Sequence, residues 1–245
     1  MHQFFVEKKQ IGENQITIEG EDVNHIKNVL RLQKGEKIAI SNQVEHKYLC
    51  EIAEISKEKV IADILEVAKE STELEAKIYL FQGLPKSDKM EMIIQKAVEL
   101  GVYKIIPVAM SRSIVRLDAQ KQSKKQQRWG GISKSAAQQS KRMRIPEVEK
   151  LMSFDEAIKY AKEMEHILLP YELEAGNAIN AKLTDNIKKG ESIAIFIGPE
   201  GGFEEEEIEN ARMHGAKSIS LGKRILRTET AGLAILSILM YHLET

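Results

Sequence analysis

The chain has 245 residues, enough for one large domain or two modest ones, and 42% apolar residues to fill a sizeable core. Lys plus Arg number 36 against 37 Asp plus Glu, so the chain is nearly neutral and could meet a nucleic acid only through clustered charge. A lone cysteine, Cys50, excludes an internal disulfide and a cysteine-rich zinc site, which suits a reducing cytosol. The first residues lack the basic start and apolar run of a signal peptide. The apolar run from Ala231 to Tyr241, interrupted by Ser237, is too short to span a bilayer and is expected as a buried helix.

Residues 1–72 read as a small, mostly β unit. Ile16 and Ile18, Ile38 and Ile40, then Tyr48, Cys50 and Ile52, then Val60, Ala62 and Ile64 alternate with their neighbours at the period of two of half-buried strands. Val23, Ile26, Val29 and Leu30 instead recur at helical spacing over 21–32. Short strands with one helix point to a small β-barrel. The polar run 69–75 marks a boundary, and 73–245 has a different texture. Strands are expected at 78–81, 104–110, 166–169, 192–197 and 218–221. Helices are expected at 90–101, over 118–140 with a break at Gly130-Gly131, at 154–165, at 204–214 and from Thr228 onward. Strands buried on both faces and joined by helices predict an α/β domain with a mostly parallel sheet.

Two loops follow the carboxyl ends of predicted strands, where open α/β sheets bind ligands. The first is Ile197-Gly198-Pro199-Glu200-Gly201-Gly202-Phe203, whose glycines permit a tight turn and close backbone approach. Carboxylates from Glu204 to Glu207 follow it, so a neutral or cationic ligand suits it better than a phosphate. The second runs from Leu221 to Ala231 and carries Lys223, Arg224, Arg227 and Glu229 beside a helix start. Taken separately, a plain glycine turn and a solvated loop capped at Thr228 or Thr230 account for the same residues.

Together, the two loops resemble the signature of the SPOUT class of methyltransferases, and in detail the RsmE family, which methylates N3 of a uridine in 16S ribosomal RNA. The resemblance extends to Leu84–Met90 with Gln95–Gly101, to Ser111-Arg112-Ser113, Arg128-Trp129, Ala136–Ser140 and Arg144–Val148, and to His25-Ile26 with Val29-Leu30-Arg31. It covers nearly the whole chain. Departures are His2 and Gln3 where the family often has arginine, Glu204 in place of a Ser or Thr helix cap, and Lys223 where proline is common.

The resemblance implies a PUA-like, RNA-binding β-barrel over 1–72 and, over 73–245, a SPOUT α/β domain with a deep trefoil knot at its C-terminus. Its cofactor is S-adenosylmethionine, held by Leu169, Pro170 and Glu172, by Gly198, Pro199, Glu200, Gly201 and Gly202, and by Leu221, Gly222, Ile225, Leu226 and Thr228. Arg227 would stabilise negative charge on the uracil, with Glu229 either accepting its proton, orienting Arg227, or only capping the helix. A cytoplasmic homodimer joined through the last helix and acting on 16S ribosomal RNA or the small subunit is implied.

Between Lys121 and Arg144 eight cations fall with no acid among them, a concentration that suits phosphate contact. Arg128, Lys141, Arg142 and Arg144 are the nominees there, with Arg31, Lys86, Lys89 and Arg112 added from the matching segments. The six histidines are scattered, and no metal site is expected. Other readings are a SPOUT ribose 2′-O-methyltransferase and a non-catalytic RNA-binding assembly factor.

Overall fold

The computed structural model describes residues 1–68, 71–171, 184 and 186–245. The chain divides into two compact units, one of residues 1–73 with 137–145, the other of 74–136 with 146–245.

In the first unit, β1 (Gln3–Phe5), β2 (Gln15–Glu19), β3 (Lys37–Ser41), β4 (Lys47–Ile55) and β5 (Lys59–Ala68) form one sheet in the order β1-β3-β4-β5-β2. The β1–β3 pair is parallel and the others are antiparallel. The alternating residues read from the sequence bury one face of each strand, and Phe4, Val6, Val23 and Ile26 complete that core. Helical structure over 21–32 is shorter than its spacing predicts. Helix α1 (Glu21–Asn24) passes into a π-type turn over His25–Val29, and Arg31 follows with φ 55°. The wider turn leaves Ile26 buried but carries Val29 off the apolar stripe into solvent.

Residues 137–145, read from the sequence as part of the second domain, pack with the first unit. Arg142 is 4% exposed and its guanidinium is held by the Glu73 carboxylate, which also accepts the Met143 N–H at 2.8 Å. The Ser41 hydroxyl donates to the Met143 carbonyl, and the Gln3 amide to the Arg142 carbonyl. These contacts join residues far apart in sequence, so no local periodicity announces them.

The second unit is built from β6 (Lys77–Gly83), α2 (Lys89–Glu99), β7 (Lys104–Ala109), α3 (Ala119–Gln139), β8 (Glu147–Val148), β9 (Met152–Ser153), α4 (Phe154–Ala161), β10 (His166–Pro170), β11 (Ser192–Ile197), α5 (Glu205–Met213), β12 (Lys217–Ile219) and α6 (Thr228–Glu244). Its sheet runs β12-β10-β11-β6-β7-β8, with β9 also on β7, and every pair is parallel. The chain starts at β6, builds outward through β7 and β8, and then returns to the other side of β6. The order therefore reverses at the β6–β11 junction, where a ligand crevice is expected at the carboxyl ends. There the Phe81 and Phe196 rings stack at 4.4 Å in the core.

Helix α3 is continuous through Gly130 and Gly131. Each glycine weakens a helix by roughly 1 kcal/mol relative to alanine, but buried Trp129, Ser133, Ala136 and Ala137 anchor it on either side. Among the described residues no helix is long and apolar enough to cross a membrane.

Candidate active site

A cavity of about 590 Å³ lies at the carboxyl ends of β10, β11 and β12. Its wall comprises Pro170 and Tyr171 at the end of β10, residues 197–203 from the end of β11, and residues 220–222 and 224–228 after β12, with Lys89, Arg112, Glu205 and Ala231 completing it.

The glycines act in different ways. Gly202 has φ 72° and donates its N–H to the Pro199 carbonyl at 2.9 Å, which closes the loop on itself. A Cβ on Gly83, at the end of β6, would stand 2.7 Å from the Pro199 nitrogen, so strand and loop meet backbone to backbone. A Cβ on Gly201 would stand 2.9 Å from the Arg112 Cβ. Gly201 thus makes room for Arg112 besides lining the cavity. Gly222 has φ 106° with open space beside it, and only glycine adopts that conformation readily.

Behind the loop lies a buried polar relay. The Thr228 hydroxyl donates to the Gly198 carbonyl at 2.6 Å and accepts from the Gln82 amide at 2.8 Å. Both side chains are buried. Thr228, nominated for the cofactor, therefore uses its hydroxyl to fix the loop. Gln82 was not singled out from the sequence, although a lone glutamine at the end of the apolar run Ile78–Phe81 was its signal.

Two ion pairs brace the rim. The Lys89 ammonium lies 2.9 Å from Glu200 Oε1 and 3.4 Å from Glu229 Oε2, and its hydrogen bond to Glu200 raises its pKa. Burial by itself would push the Glu200 carboxyl up. The Lys89 ammonium and backbone N–H groups, including that of Lys86, outweigh burial and hold it below the usual range. Arg112 makes a two-pronged contact with Glu204 at 2.8 and 3.0 Å and donates to the Gly201 carbonyl at 3.0 Å. That pairing raises the arginine and lowers the glutamate. Buried Glu207 accepts the N–H of Ser111 and that of Glu204, both at 2.9 Å. Glu204, read as a weak helix cap, is thus held from two sides.

Several nominated residues stand differently from their sequence reading. Glu229 pairs with Lys89 rather than orienting Arg227, and Arg227 makes no ion pair among the described residues. Lys89 and Arg112, nominated for RNA, line the cavity and are paired with acids. Arg128 is paired with Glu91, and Arg142 is withdrawn into the first unit by Glu73. Arg31 and Lys141 are exposed there, and Arg144 is half-buried. Leu169 is buried in the sheet rather than on the cavity wall. Glu172 lies outside the described residues. No group of three His, Cys, Asp or Glu capable of holding a metal ion occurs among the described residues.

Known proteins place this architecture. Residues 72–240 match the family model described as the RNA methyltransferase domain, and residues 18–65 match the RNA methyltransferase PUA domain. The Ribosomal RNA small subunit methyltransferase E of Bacillus subtilis (strain 168) is 39% identical over 251 residues, covering 100% of this chain and 98% of that protein. A methyltransferase from Legionella pneumophila, solved with the bound cofactor SAM, superposes with a TM-score of 0.86 at 31% identity, over 98% of this chain and 96% of its own. The Ribosomal RNA small subunit methyltransferase E of Neisseria gonorrhoeae, solved bound to S-adenosyl methionine, gives a TM-score of 0.85 at 30% identity, over 98% and 97%. With matches spanning both units and nearly every residue, the chain belongs to the ribosomal RNA small subunit methyltransferase E family of RNA methyltransferases.

Proposed function

We propose that this protein transfers the methyl group of S-adenosylmethionine to N3 of a uridine in the 16S RNA of the small ribosomal subunit. The observation that carries the proposal is the cavity at the carboxyl ends of β10, β11 and β12, beside the switch point of the sheet and walled by both loops that bear the family signature. Its volume falls in the range of sites that enclose a nucleoside-sized ligand. Its wall mixes apolar Pro170, Ile197, Leu221, Leu226 and Ala231 with exposed backbone at Gly201 and Gly222. Those features fit an adenine ring and a methionine chain. Gly198, Pro199, Glu200, Gly201 and Gly202 would hold the donor from one side, with Leu221, Gly222, Leu226 and the backbone of Ile225, whose side chain is exposed, on the other and Pro170 between them. When bound, S-adenosylmethionine supplies an electrophilic methyl group.

The chain's own task is to align N3 and to manage its proton, since the nitrogen becomes nucleophilic only as that proton leaves. Alignment alone can lower a barrier by several kcal/mol, on the order of 7 at well-oriented sites. Arg227 lines the cavity and is free of acidic partners among the described residues, which supports a part for it in stabilising negative charge on the uracil. Glu229 does not line the cavity. Its proposed part is to hold Lys89, and through it Glu200, while the N3 proton passes to water.

The proposal extends to a trefoil knot in the second unit, to a PUA-like barrel that binds RNA, to a cytoplasmic location and to a homodimer. Helix α6 supports the last of these. It buries Ile235, Leu236, Leu239 and Leu243 on one side while Ile238 and Tyr241 are 43% and 70% exposed, a second apolar face available to another copy.

Incubating the purified protein with labelled donor and small-subunit RNA, then digesting to nucleosides, should give N3-methyluridine. Label on a ribose hydroxyl, or no transfer, would overturn the assignment. Single-turnover rates should fall by one to three orders of magnitude in Arg227→Ala, and less in Glu229→Gln.

A further inference from the structure

Four cations line the cavity: Lys89, Arg112, Arg224 and Arg227. The first two are balanced by Glu200 with Glu229 and by Glu204. Arg224, Arg227 and the adjoining Lys223 have no acidic partner among the described residues, and all three are exposed. Between them stands Ile225, 82% exposed. A single exposed isoleucine is ordinary. One flanked within five residues by three unpaired cations, on the rim of a reaction cavity, is a surface with a definite chemical preference.

The methyl donor meets that preference only in part: it bears a net positive charge and offers a single carboxylate, a partner for one cation but not for three. Nor does the most basic stretch of the sequence supply an equal surface. On α3, Lys121 faces Asp118 at 3.1 Å, Lys125 faces Asp88 at 4.0 Å and Arg128 faces Glu91 at 2.8 Å, so much of its charge is already matched. The uncompensated charge of the second unit that adjoins the cavity lies on the 222–227 loop.

Resting on the reading of the chain as an RNA methyltransferase, we propose that this loop is the docking rim for the RNA substrate: Lys223 and Arg224 grip the phosphates flanking the target nucleotide, and Ile225 packs against the face of an unpaired base. The occupant is a single-stranded segment whose base has left its stack, because an apolar side chain can cover a base face only when neighbouring bases do not. Gly222, at φ 106°, precedes the three residues in a backbone conformation that glycine adopts readily. Arg227, at the start of α6, is the fourth member of the same run and keeps its part in the chemistry.

The test uses the full chain and a fluorescein-labelled, uridine-containing single-stranded oligoribonucleotide, with anisotropy followed against salt. In Lys223→Ala/Arg224→Ala, RNA affinity should fall at least tenfold at low salt. The log–log salt slope should shrink by about 1.4, or about 0.7 for each phosphate that is no longer neutralised. Because Arg224 also lines the cavity, calorimetry should find S-adenosylmethionine affinity reduced, but far less than RNA affinity. Ile225→Ser should weaken RNA binding while leaving the slope unchanged. Unchanged RNA affinity and slope in the double variant would overturn the inference. So would a parallel loss of donor affinity, which would make the loop a wall of the cofactor cavity alone. A change of mass by light scattering in Ile225→Ser would assign that side chain to a second copy of the chain and overturn its role at the base. Failure of the unmodified chain to bind the oligonucleotide would instead remove the RNA reading itself, and the inference with it.

Discussion

Replacing Thr228 by valine removes a hydroxyl and little volume. In the native structure that hydroxyl donates to the Gly198 carbonyl at 2.6 Å and accepts from Gln82 at 2.8 Å. The Gln82 amide keeps its bond to the Gly83 carbonyl at 3.0 Å, so the lasting damage falls on the half-buried Gly198 carbonyl, which loses its donor. Leaving a buried acceptor unmet costs roughly 1–3 kcal/mol, and a half-buried one on the cavity wall falls at the lower end, about 1 kcal/mol. For a unit of this size each kcal/mol lowers Tm by about 2–4 °C, so the variant should melt about 2–4 °C lower. The freed carbonyl belongs to the loop that walls the cavity, so donor affinity should fall several-fold, while Thr228→Ser should keep both properties. Differential scanning calorimetry and isothermal titration supply the two readouts. A valine variant as stable as the parent, with unchanged donor affinity, would refute the relay.

Gly83→Ala should be severe for its size, because its Cβ would stand 2.7 Å from the Pro199 nitrogen and 2.9 Å from Met110 Sδ. A loss of roughly 1–3 kcal/mol in urea unfolding, with weakened donor binding, is expected, and a neutral outcome would contradict the close approach. Arg142→Ala leaves the Glu73 carboxylate largely buried without its cation, at roughly 3–5 kcal/mol. A small effect on the unfolding of the first unit would argue that Arg142 is free for RNA after all. Burial pushes the Cys50 thiol up to about 12, so at pH 8 it stays protonated and shielded, and a thiol reagent should react only on unfolding. Rapid reaction with the folded protein would contradict its place in the core.

The period-two alternation around Ile16, Ile38, Cys50 and Val60 was legible because each strand buries one face, and pleat geometry writes that directly into sequence. The strands of the second unit were legible as short apolar runs for the complementary reason, burial on both faces. Strands β8 and β9 are two residues long and carry no period. The assignment of residues 137–145 to the first unit depends on Glu73, Ser41 and Gln3, partners that no local window contains. At the cavity, glycines and basic residues announced the two loops, but their duties were not readable. Lys89 was indistinguishable from a solvated cation until Glu200 and Glu229 were seen to converge on it. Gly201 reads as a ligand-facing glycine, and the second demand on it, room for the Arg112 side chain, comes from a partner that no local window contains.

Nucleoside digests of 16S ribosomal RNA from cells with and without this protein read out the proposed activity in place. A single N3-methyluridine should disappear with the protein and return with the unmodified chain but not with Arg227→Ala. Retention of that nucleoside in cells lacking the protein, or loss of a ribose-methylated nucleoside in its place, would contradict that activity.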